Sequence, residues 1–77
     1  MSADNIPTVE VAEGTIRLGQ FLKLANLAES GSQARELIIN GDVKVNGEVD
    51  TRRGAQLARG ALVEVQLPGQ TLAARVG

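Results

Sequence analysis

From Thr8 to Ala12 apolar and polar residues alternate: Val9 and Val11 fall on one side and Glu10 on the other. That is a strand pattern, and Gly14 breaks it. Apolar spacing then lengthens. Leu18, Phe21, Leu22 and Ala25 recur at helical intervals, with Thr15 placed to cap a first helix. Gly19 lies inside that helix, where it costs about 1 kcal/mol relative to Ala. Asn26 to Glu29 reads as a connector. Ser30 followed three residues later by Gln33 is a capping-box pattern. Ala34, Leu37 and Ile38 form the stripe of a second helix, and Gly41 falls where a left-handed C-cap belongs. Ile39 lies off the stripe, near Arg35.

Period two then returns. Val43 and Val45 alternate with Lys44, Asn46-Gly47 is the favoured two-residue hairpin turn, and Val49 resumes on the far side. Arg52-Arg53-Gly54 follows as a loop. Leu57 and an Arg59-Gly60 turn lead into the alternating strand ALVEVQL, and Pro68-Gly69 turns the chain into a last strand, Thr71 to Val76. This order predicts an α+β fold, a two-helix hairpin packed on a small, mainly antiparallel sheet. It predicts one domain over residues 1–77, with residues 1–7 frayed and residues 15–67 forming the core motif.

Composition narrows the chemistry. The 77 residues include no Cys, His, Trp or Tyr, so the core is aliphatic around Phe21, the single ring. No disulfide or thiolate metal site is available. Nucleophilic catalysis of the usual kind needs a base beside Ser, Cys or Thr, and His is absent. Phosphate loops and dinucleotide-binding glycine turns are absent too. Asp42, Glu48 and Asp50 are the nearest approach to a metal cluster, but their spacing is not that of a calcium loop. They read as solvated strand-edge carboxylates that discourage edge pairing. No catalytic residue, metal or cofactor is therefore expected. No stretch approaches the roughly 20 apolar residues of a membrane span. The opening MSADNIPTVE lacks the basic start and apolar core of a secretion signal, so a cytoplasmic protein is expected.

The formal net charge is −1, which argues against a nucleic-acid partner until its distribution is considered. Residues 1–14 carry Asp4, Glu10 and Glu13 and no base, which leaves the remainder at +2. Phe21 belongs to the apolar face of the first helix, so no aromatic platform for stacking bases is present. Any nucleic-acid contact must run through cations, backbone amides and amide side chains such as Asn46.

From Arg17 onward the chain resembles the small RNA-binding domain named for ribosomal small-subunit protein four, the αL motif. The helix start Arg17-Leu18-Gly19-Gln20-Phe21-Leu22-Lys23 is similar to that family's RLDKFL-like opening. Ser30, Ala34, Leu37-Ile38, Gly41, Val43, Val45 and Asn46-Gly47 follow its capped second helix and G.V.VNG hairpin. Gly60, Val63 and Val65 match its late G..V.V element, so the likeness runs from Arg17 to Val65. ESGSQA and DTRRG look most like small free-standing bacterial members.

The resemblance implies binding of structured RNA, ribosomal or transfer RNA or a ribosomal particle, without catalysis. The sequence itself leaves the oligomeric state open, with a monomer as the default expectation. It implies a basic surface on the helix pair and hairpin. Arg17 would contact phosphate from the first helix, and Lys23 stands on the same helix. Ser30 and Ser32 would lie at the second helix's N-terminus, where free N–H groups favour an anion. Arg35 would project beside the buried stripe, and Lys44 and Asn46 would reach out from the hairpin. Two departures stand out: Gly19 replaces the family's acidic residue, and Gly31 replaces its frequent arginine after the capping serine. Arg52 and Arg53, just past the hairpin, are expected to compensate. About four phosphate contacts would give a log K against log salt slope of roughly −3 to −4.

Two rival readings remain at this level. A β-grasp sulfur carrier shares the VNG turn, but it needs a terminal Gly-Gly where this chain has Val76-Gly77. A protein-interaction adaptor would use the Ile39 region and an exposed sheet edge.

Overall fold

A computed structural model describes residues 6–77. Seven strands and two helices follow one another as β1 (Thr8–Val9), β2 (Thr15–Arg17), α1 (Leu18–Leu24), α2 (Gly31–Ile39), β3 (Val43–Val45), β4 (Glu48–Val49), β5 (Gln56–Ala58), β6 (Leu62–Leu67) and β7 (Gln70–Val76). Five strands form one sheet in the order β1-β7-β6-β3-β4, and β2 pairs with β5 in a separate ribbon. Every pairing is antiparallel except β1 with β7.

Register follows the alternation of the sequence. Val43 lies opposite Val65 and Val45 opposite Val63, while Val63 and Val65 meet Ala74 and Leu72 on the other side. These residues form the inward face. The two helices cover it with Leu18, Phe21, Leu22, Ala34, Leu37 and Ile38, all buried, and Phe21 has no exposed surface. Lys44, Glu64, Gln66 and Thr71 occupy the opposite, solvent face of the sheet, with Lys44 directly across from Glu64.

Both helices end in the same way. After α2, Gly41 at φ 81° donates to Ile38 O at 3.1 Å and Asp42 N–H to Leu37 O at 2.9 Å. This is the Schellman closure expected at Gly41. After α1, Asn26 takes the left-handed position at φ 63°, and the N–H groups of Asn26 and Leu27 donate to Lys23 O and Leu22 O. The Asn26–Glu29 connector is thus a built C-cap, and it buries Leu27 and Ala28. Ser30 Oγ accepts from Gln33 N–H at 3.1 Å, as the capping box requires. Gln33 Oε1 reaches one residue further back than the usual box, accepting from Glu29 N–H at 2.6 Å.

Several expectations are corrected. Thr15 does not cap α1; it opens strand β2. The β-branched pair Thr15-Ile16 suits an extended chain, and Ile16 pairs with Leu57 of β5, a strand the local pattern did not reveal. Arg17 is the N-cap of α1, with no side-chain cap bond. The strand expected over Thr8–Ala12 stops at Val9, although Val11 is still buried. Of the opening segment expected to fray, residues 1–5 lie outside the described residues. Pro7 is held, because its carbonyl accepts from Arg75 N–H at 2.8 Å.

Candidate nucleic-acid interface

Where β2 runs into α1, three cations meet. Arg17, Lys23 and Arg53 line a cleft of about 400 Å³ together with Gln20, and Gly19, Gly31 and Gly54 leave its backbone open. No carboxylate lines it. Three separate segments supply the basic side chains: the end of β2, the solvent side of α1 and the loop before β5.

The first turn of α1 explains how the loop arrives there. Without a side-chain cap, the leading N–H groups need other acceptors. Leu18 N–H donates to Ala55 O at 2.8 Å, and Gly19 N–H donates to Arg53 O at 3.1 Å. The loop therefore caps the helix with its own carbonyls. Gly19 also allows the Arg53 stem to lie against the helix. A Cβ at that position would stand 2.9 Å from Arg53 Cγ, closer than packed carbons tolerate. The departure at Gly19 is thus coupled to the arginine of the loop.

Gly31 opens α2, directly after the capping Ser30. Its N–H and that of Ser32 precede the first intrahelical donor, Ala34 N–H, which bonds Ser30 O at 3.0 Å, and so belong to the partially positive end of that helix. A Cβ on Gly31 would meet only Lys23 Cδ, at 4.0 Å. The Lys23 stem therefore passes the N-terminus of α2.

The structure divides the expected site residues. It brings Arg17, Lys23 and Arg53 together; Ser30 and Ser32 are exposed on either side of Gly31 at the start of α2 but do not themselves line the cleft. Arg35 is exposed further along α2 and does not line the cleft. Lys44 stands on the sheet face away from the helices. Asn46, at φ 53° in the hairpin turn, spends its side-chain oxygen on Leu62 N–H at 2.9 Å, which ties the turn to β6. Arg52 is engaged with Asp50: Nε donates to Oδ1 at 3.1 Å and Nη2 to Oδ2 at 3.0 Å. That is the single ion pair among the described residues.

Asp50 is therefore not the free strand-edge carboxylate that its position suggested. The hydrogen bonds from Arg52 hold its carboxyl below the usual carboxylate range, and Asp50 in turn raises the Arg52 guanidinium. A lowered carboxylate pKa means that the pair is complete at neutral pH and is lost only as pH falls through that lowered value. Gln20 also lines the cleft, a place that the sequence does not announce, since one polar residue on an exposed helix face carries no signal of its own.

A larger groove of about 760 Å³ shares Gln20 and Lys23 with the cleft, but Glu10 and Glu13 line it. Those two carboxylates disfavour phosphate there, so the smaller, acid-free cleft is the better anion site. Among the described residues no helix is long and apolar enough to cross a membrane.

The chain is similar to known proteins in sequence and, in one solved structure, in fold. A family model described as the S4 domain matches residues 9–73. The chain is 47% identical over 51 residues to the "Probable ribosome maturation protein RlbA" of Bacillus subtilis strain 168, across 66% of this chain and 72% of that protein. It is 37% identical over 60 residues to a tyrosine–tRNA ligase of Ralstonia nicotianae, across 78% of this chain but 15% of the ligase. That likeness concerns one segment of a much larger enzyme. The solution structure of YbcJ from E. coli is described as revealing an alphaL motif involved in RNA-binding. It matches with a TM-score of 0.60 and 30% identity, covering 97% of this chain and 94% of that one. The family match takes in the helix pair, the hairpin and the loop that carries Arg53, and the chain belongs to the S4-domain family.

Proposed function

We propose that this chain is a non-catalytic RNA-binding protein that recognises structured RNA, ribosomal or transfer RNA, through the cleft of Arg17, Lys23 and Arg53. The observation that carries the reading is the convergence of three cations from distant positions on one acid-free cleft. The relatives support it: RlbA is named for ribosome maturation and YbcJ's motif for RNA-binding. Ser30 and Ser32 flank the phosphate at the start of α2, and Arg35 lies at the periphery. The whole chain acts as one RNA-binding domain, monomeric and cytoplasmic.

Affinity comes from neutralising phosphates and releasing their counterions. The planar forks of Arg17 and Arg53 suit pairs of phosphate oxygens, and Lys23 adds a point charge. Selectivity comes from shape, because an A-form helix hides its major groove from side chains. The sulfur-carrier and adaptor readings are not favoured, since neither accounts for the cationic cleft.

Titration with a short A-form RNA hairpin over a series of salt concentrations tests the reading. Three contacted phosphates predict a slope of log K against log salt of about −3. A slope near zero, or no binding at low salt, contradicts it.

A further inference from the structure

We propose that Asp50 is a positioning residue for the cleft: it clamps Arg52 and so divides the arginine doublet, leaving Arg53 alone to face RNA phosphate. The inference deepens the RNA-binding reading above and rests on it.

Three hydrogen bonds from one residue converge on a single carboxylate. Asp50 Oδ1 accepts from the Arg52 backbone N–H at 2.9 Å and from Nε at 3.1 Å, and Oδ2 accepts from Nη2 at 3.0 Å. The backbone bond closes an Asx turn, and the side-chain pair is a two-pronged fork. Asp50 is itself anchored, because its N–H donates to Val43 O of β3 at 3.1 Å. On the far side, Arg52 O accepts from Ala55 N–H at 3.1 Å. Both ends of the Arg52 backbone are therefore held. The next residue, Arg53, gives its carbonyl to Gly19 N–H, and Ala55 gives its carbonyl to Leu18 N–H. A continuous run of bonds thus leads from β3 through Asp50 to the first turn of α1.

The side chains obey the same division. Arg52 spends its guanidinium on Asp50 and lines no part of the cationic cleft, whereas Arg53 lies across Gly19 and lines it. Asp50 is 15% exposed against 78% for Arg52, so the carboxylate is the fixed partner and the arginine the one held. An exposed pair of this kind adds little to global stability. Its consequence is geometric: it sets the direction of the following residue.

The test uses a substitution on which two accounts disagree in sign. A carboxylate near an RNA surface repels phosphate, so if its charge acts only at a distance, Asp50→Ala strengthens binding. Under the clamp, Asp50→Ala weakens it. Binding to a short A-form RNA hairpin is expected to fall on the order of fivefold, the loss of roughly one hydrogen-bonded contact. The salt slope is expected to flatten by about one unit as the Arg53 contact is lost. Arg52→Lys keeps the charge but lacks the fork, and it is expected to move both quantities in the same direction. In an Arg53→Gln background, Asp50→Ala is expected to add nothing, because the residue it positions is gone. Circular dichroism melts check that each variant is folded.

A folded Asp50→Ala that binds as tightly as the parent or tighter overturns the clamp, as does an equal loss in the Arg53→Gln background. Should Asp50→Ala fail to fold, Arg52→Lys decides: unchanged affinity and slope overturn the proposal. A parent chain without salt-dependent binding removes the RNA reading and the clamp together, whereas a parent that binds and an Asp50→Ala that binds more tightly removes the clamp alone.

Discussion

Replacing Arg17, Lys23 and Arg53 together with glutamine is expected to weaken binding to a short A-form RNA hairpin by about 100- to 1000-fold. The three side chains share one cleft without a carboxylate in its lining, so a bound phosphate backbone meets no internal competitor there. Each charge-assisted contact contributes about 1–1.5 kcal/mol net in a surface site. Together they come to roughly 3–4.5 kcal/mol, and each 1.4 kcal/mol is a tenfold change in affinity. The salt slope should fall towards zero in the same variant, because the counterions released on binding are those displaced by these cations. Glutamine keeps the stems, which preserves their packing. Stability should hold, since all three charges sit on exposed residues outside the core. Arg59→Gln removes a charge elsewhere on the surface, and filter binding should register a change of less than about threefold, the effect of net charge at a screened distance. An equal loss in Arg59→Gln would mean that overall charge, not the cleft, drives binding.

Phe21→Ala is expected to unfold most of the population at room temperature. Phe21 is the largest fully buried side chain, and it lies between the helix pair and the valine face of the sheet. Truncating a buried Phe costs about 3–5 kcal/mol. A core of this size rarely supplies more than about that in total, and neither a disulfide nor a second aromatic ring shares the load. Where a folded fraction survives, its melting midpoint should lie on the order of 20 °C or more below the parent's. Phe21→Leu keeps most of the volume and should cost less than half as much. Circular dichroism melts of the two variants check both values.

These two variants separate what holds the molecule together from what it presents, and the sequence disclosed the two unequally. The capping serine of α2, the left-handed Gly41 and the Asn46-Gly47 turn were all legible, because each is specified within four or five residues. The inward valines of β3 and β6 were legible for the same reason. The start of α1 was not. Its cap comes from Arg53 and Ala55, more than thirty residues away, and no local signal announces a backbone carbonyl. Strand β2 was hidden likewise, since Thr15-Ile16-Arg17 becomes a strand only by pairing with Gln56–Ala58.

The site shows the same contrast. Arg17, Lys23 and Arg53 were identifiable as cations, but only the fold puts them in one cleft. The placement of Lys44 was latent in the alternation: a residue between two inward valines points away from the helices that cover them. Taken singly in the sequence, Gly19 is a helix weakness and Asp50 a solvated acid. Their meaning lies in pairs, Gly19 with the Arg53 stem and Asp50 with the Arg52 fork.

A map of backbone amide shifts during titration with a short A-form RNA hairpin tests the central claim most directly. The largest changes are predicted at Gly19, Gln20, Lys23, Gly31, Arg53 and Gly54, with little at Lys44, Glu64, Gln66 and Thr71. Largest changes on that outer sheet face, with the cleft silent, would contradict it.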